Sequence, residues 1–114
     1  MKRKSAALLA AVLLAGCGVD EDAADATEEL ESTVLSRWED DGDDRRFYLG
    51  GLEMQPGSRI EVTTQLGESQ TEVADTICGY VVATSSEFDK LEDLSGVDVA
   101  AAGGRHIANC EPIG

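Results

Sequence analysis

Basic residues are scarce in this chain. Nine lysines and arginines face 23 aspartates and glutamates over 114 residues, for a formal charge of −14. Phosphate binding rests on a basic patch, so this balance argues against nucleic acid as a partner. Histidine occurs once, as His106, and any histidine-based catalysis has a single place to start. Apolar runs are short: the longest, "AALLAAVLLA" at residues 6–15, falls well below the roughly 20 residues of a membrane-crossing helix. Neither G-x-S-x-G nor G-x-x-x-x-G-K-[ST] occurs, which removes the hydrolase elbow and the phosphate-cradling loop. Nothing in the residues calls for a cofactor.

What the chain does have is a well-marked beginning. Lys2, Arg3 and Lys4 precede the apolar run, and a basic start followed by 7–15 apolar residues is the pattern of an export signal. The run closes on Leu14-Ala15-Gly16-Cys17: a branched apolar residue, two small ones, then cysteine. This resembles the lipobox of bacterial lipoproteins, and the resemblance covers residues 1–17 only. It implies that residues 1–16 are a removable signal, that Cys17 carries a diacylglyceryl group, and that the product is lipid-anchored outside the cytoplasmic membrane. Two acyl chains give stable attachment where one is only marginal.

Cys78 and Cys110 remain. An even pair in an exported chain predicts a disulfide, closing a loop of 31 intervening residues. Loss of the signal removes three bases and no acids, which leaves six bases against 23 acids, or −17. Residues 17–29 hold six acids and one large apolar residue, a composition that predicts a flexible tether. Residues 30–114 then form one small domain. Its acidic surface repels anionic headgroups.

Leu30, Val34 and Trp38 recur every fourth residue as on a helix, although "STVLSRW" also suits a strand. "RFYLGGLEM" at 46–54 reads as a strand with a bulge at Gly50-Gly51, and "QPGS" at 55–58 as a turn. The clearest strand is 59–66, where Ile60, Val62, Thr64 and Leu66 alternate with polar residues. Ser69 and Glu72 have capping-box spacing before a helix expected over 70–84. There Ala74, Ile77, Cys78, Val81 and Val82 form one apolar stripe, and Gly79 suggests close packing. Residues 85–96 read as a polar connector with one helical turn. "VDVAAAGGRHIANC" reads as a hairpin turning at Gly103-Gly104, with His106, Ala108 and Cys110 on one side. The resulting expectation is an α+β fold: a small, mostly antiparallel sheet, one main helix on one face, and a Cys78–Cys110 staple.

Candidate sites are few. His106 with Cys110 and Cys78 is one loose pair and a third residue, short of the two close pairs of a structural zinc site. Glu39, Asp40, Asp41, Asp43 and Asp44 offer oxygens for a weak calcium association, but "DDGDDR" does not follow the order of an EF-hand loop. Trp38, Phe47 and Tyr48 are the aromatics available for a contact face, with core packing as their other role. The expected function is a non-catalytic envelope-binding lipoprotein that meets an envelope protein. An envelope-acting enzyme using His106 and a divalent-cation binder using residues 39–44 stand as alternatives.

Overall fold

The computed structural model describes residues 19–112; the expected export signal and lipidation site, residues 1–17, lie outside them. Helix α1 spans Glu21–Asp41 and is followed by a 3-10 turn at Asp44–Phe47. Strands β1 (Leu49–Gln55) and β2 (Arg59–Thr64) come next, then helix α2 (Thr71–Ser85) and a second 3-10 turn at Asp89–Leu91. Strands β3 (Gly96–Ala100) and β4 (His106–Cys110) complete the chain. The four strands form one sheet in sequential order. The β1–β2 and β3–β4 pairs are antiparallel, and β2–β3 is parallel. Parallel neighbours need a long crossover, and α2 lies within it.

The alternation in β2 decides which face is buried. Ile60, Val62 and Thr64 are at most 1% exposed, and the register sets Ile60 against Val97 and Val62 against Val99. Leu52 and Met54 of β1 extend the same apolar layer. Ala74, Ile77, Cys78 and Val81 of α2 close over it, as their helical spacing predicts. The bridge joins Cys78 to Cys110 with Cα atoms 6.1 Å apart, so helix and terminal strand are covalently stapled. The fold is α+β, and two of its three strand pairings are antiparallel.

The residues predict one main helix; the described residues form two. Residues 21–29, expected as tether, are the opening turns of α1. Ala23, Ala26, Thr27, Leu30, Val34 and Trp38 are all buried along it, a stripe at helical spacing whose first half consists of small residues. The five acids of residues 21–29 all lie on the opposite, exposed side. Gly42, at φ +68°, stops the helix. Its N–H reaches Glu39 O at 3.2 Å while Asp43 N–H reaches Trp38 O at 2.8 Å, the paired bonds of a Schellman ending.

Two local expectations also change. The first part of 46–54 is the end of a 3-10 turn rather than strand, because the Asp43 carboxylate accepts from Arg45 N–H at 2.9 Å and caps the turn. The bulge itself is present, as a register shift between Leu49 and Gly51. The capping box does not form. Gln70 holds the N-cap position of α2 without a side-chain cap, and its Oε1 accepts from Gly67 N–H at 2.8 Å.

If α1 packs from its first turn, a charge placed at Ala26, 6% exposed, must be buried without a partner. Ala26→Asp is expected to destabilise the protein by about 2 kcal/mol or more, read from the urea midpoint. A surface tether position would shift it by no more than about 0.5 kcal/mol.

Candidate functional site

The sheet has two unlike faces. One is covered by the helices; the other carries Glu61, which reaches His106, and the linked pair Arg59 and Asp98. Arg59 forks onto Asp98, Nε to Oδ2 and Nη2 to Oδ1, both 2.9 Å. The guanidinium lies over Gly96, where an added Cβ would sit 2.6 Å from Nη1. Hydrogen bonding to Arg59 holds the Asp98 carboxyl below the usual carboxylate range.

His106 belongs to this open face. Its Nε2 is 3.5 Å from Glu61 Oε1, and its side chain is half exposed. Strict alternation would put it beside Cys110, but the β3–β4 register shifts between Val99 and Ala100, which turns the residue to the other side of the sheet. Cys110 faces α2 through the bridge. His106 and the two described cysteines therefore do not converge, and no group of three or more His, Cys, Asp or Glu among the described residues is arranged to hold a metal ion.

The acidic stretch after α1 is similarly divided. Glu39, Asp40, Asp41 and Asp44 are exposed, whereas Asp43 faces Arg45, with Arg45 Nη2 on Asp43 Oδ2 at 2.6 Å. Those bonds lower the Asp43 pKa. They also aim the Arg45 guanidinium over the rings of Trp38 and Tyr80, at 4.9 and 5.2 Å from their centroids. The residue thus links the loop to both helices, a cation–π arrangement.

The three aromatics separate in the same way. Trp38 is fully buried and packs against Tyr80 with ring centroids 5.3 Å apart; its indole N–H finds no acceptor among the described residues. Tyr48 packs partly against the core. Phe47 stands out at 66% exposed, covered on one side by the Arg46 guanidinium 4.3 Å from its centroid. Trp38 is core, and Phe47 alone of the three offers a large free surface.

A groove of about 590 Å³ that the residue pattern does not announce lies between α2 and the chain leaving β4. Gly79, Val82 and Ala83 form its helical wall, Leu91 its base, and Cys110 and Pro112 the far side. Gly79 is not held close to a neighbour: nothing among the described residues lies within 4 Å of where its Cβ would be, contrary to the close packing expected. The only signal for the groove is that small residues recur at 79, 83 and 86 on the face of α2 opposite its apolar stripe.

Compared with known proteins, the chain matches no family model, and neither curated proteins nor solved structures show significant similarity to it.

Glycine inside a helix costs about 1 kcal/mol relative to alanine. Gly79→Ala meets open space and is expected to raise the unfolding free energy by about 0.5–1 kcal/mol, measured by denaturant titration. The Arg59–Asp98 pair sets a pH dependence. A carboxylate whose folded pKa is depressed contributes stability above its ordinary value near ~4 and loses it as pH falls below. Asp98→Asn is therefore expected to flatten the loss of thermal stability between about pH 4 and pH 2, seen in melts across that range.

Proposed function

We propose that this chain is a membrane-anchored extracytoplasmic lipoprotein whose folded body is a non-catalytic binding module of the cell envelope. The observation that carries the proposal is the pairing of Cys78 with Cys110. A stable disulfide suits an oxidising compartment, and with those two thiols joined, the remaining cysteine is the one at the end of the lipobox-like signal. Thioether attachment of a diacylglyceryl group to Cys17 gives the two acyl chains that stable anchoring needs.

The described residues support a binding role over a catalytic one. His106 meets Glu61 on an open, polar sheet face, with both described cysteines held in the bridge on the other side. No helix among the described residues is long and apolar enough to cross a membrane, so lipid is the means of attachment in this reading.

The early start of α1 gives the anchoring a definite geometry. Four Cα–Cα steps separate Cys17 from Glu21, and fully extended chain spans about 3.5 Å per residue. The body is then held within about 14 Å of the anchor instead of the 40 Å that a tether to residue 29 would allow. Acidic residues in the first turns of α1 oppose flat contact with anionic headgroups.

The test is direct. In cells fed labelled palmitate, the native chain is expected to take up label at Cys17 and to fractionate with membranes. Cys17→Ser is expected to lose both. Equal labelling of the variant, or a native product still beginning at its initiator methionine, would refute the proposal.

A further inference from the structure

We propose that the groove between α2 and the end of β4 docks an extended segment of a partner protein, with an aliphatic side chain in the groove and a lysine or arginine beside it. The inference rests on the binding-module reading for the existence of a partner and supplies its site and chemistry. It does not depend on the lipid.

Three observations define the occupant. The first is space. The groove has the size of a ligand site, about 590 Å³, and its inner surface is formed by Val82, Ala83, Leu91 and Pro112. Gly79 leaves it open to the helix backbone, and no side chain among the described residues uses that room.

The second is charge. Glu92 and Glu111 line the groove and no basic residue does. Of the bases nearest in the fold, Arg37 forks onto Glu87, Lys90 points to Asp22 at 3.5 Å, and Arg59, close enough to Glu111 to feel its charge, is forked onto Asp98. A fatty-acid carboxylate or a phosphate headgroup would meet two glutamates and no base in the groove lining, the nearby Arg59 being already held by Asp98; a cation would be drawn to them.

The third is the helix end. Ser85 and Ser86, also in the lining, close α2, whose last turn contains no basic residue. No basic side chain of the helix's own last turn offsets the negative end of its dipole. An aliphatic group with an adjacent ammonium or guanidinium satisfies wall, rim and helix end together. Peptide segments supply that pair from neighbouring residues, and an extended one fits an open groove.

The experiment screens a random decapeptide library against the purified chain and counter-screens it against Gly79→Leu. The Leu side chain enters open space at an exposed helix position, so the variant folds while the groove is filled. Thermal melts of both proteins check this. Sequences enriched on the native chain and lost on Gly79→Leu are expected to pair Leu, Ile or Val with Lys or Arg. Their affinity is expected to fall about tenfold in the Glu92→Gln, Glu111→Gln double variant and to weaken with added salt. Methyl chemical shifts of Val82 and Leu91 are expected to move on binding. Peptides that bind both proteins equally would overturn the groove and leave the binding-module reading standing. Groove-dependent peptides without basic residues, or with acidic ones, would overturn the partner chemistry. Enrichment of nothing would overturn the inference, while palmitate labelling of Cys17 would still report on the anchor.

Discussion

The bond between Cys78 and Cys110 is the constraint on which the rest of this structure depends. Strand β4 has a neighbour on one side only, and its residues are at best half-buried. An edge strand of that kind gains little from burial and is prone to fray. The bridge ties it to α2 at a position that is 1% exposed in the middle of the helix's apolar stripe. Closing a loop of separation 32 is worth roughly 3.5–4 kcal/mol in the chain-entropy model, a large share of a small domain's stability. The same link sets the distance between α2 and the chain beyond β4, and hence the width of the groove.

Beneath the bridge, the core is built from aliphatic residues, chiefly Leu, Ile, Val and Ala, with one tryptophan. That choice explains the placement of charge. A thin core cannot carry many buried ionic groups, and the acids accordingly line the exposed sides of α1, the loops and the open sheet face. The few bases are placed with economy. Arg37, Arg45 and Arg59 each form a fork with one carboxylate. The Arg37–Glu87 pair is exposed and adds little to stability. Arg45 has a larger structural part, since it stacks on Trp38 and Tyr80 and reaches Thr76 O at 3.3 Å. Asp43 therefore serves as the orienting partner of an arginine.

How much of this was legible in the residues depends on the size of the side chains carrying the pattern. Helix α2 was readable because Ala74, Ile77, Cys78 and Val81 fall on one stripe dominated by unmistakable apolar groups. Strand β2 was readable because four alternating positions separate wet from dry. The first half of α1 was not, because Ala23, Ala26 and Thr27 mark the buried face weakly among six acids, and net charge dominates the composition of the segment. The orientation of His106 was hidden by one irregularity, since a single shift between Val99 and Ala100 exchanges the faces of the strand. The groove had only a faint local signature, the small residues at 79, 83 and 86. Its walls come from a helix, a turn and the end of a strand, and only the β2–α2–β3 crossover brings them together.

That crossover also decides where the groove lies relative to the start of the chain. Lys90, next to the groove's Leu91, reaches Asp22 in the first turn of α1. The turn that carries the groove's Leu91 and the beginning of α1 thus share one end of the body. If Cys17 is held in a bilayer four residues before Glu21, that end faces the membrane surface. A partner segment entering the groove is then one presented close to the same surface, where two anchored molecules meet at high effective concentration. A modest intrinsic affinity suffices under those conditions, which is consistent with a shallow aliphatic groove and two glutamates instead of a deep, many-contact pocket. With such an anchor, a short leash and an open groove would form one arrangement, since shortening the first makes the second sufficient.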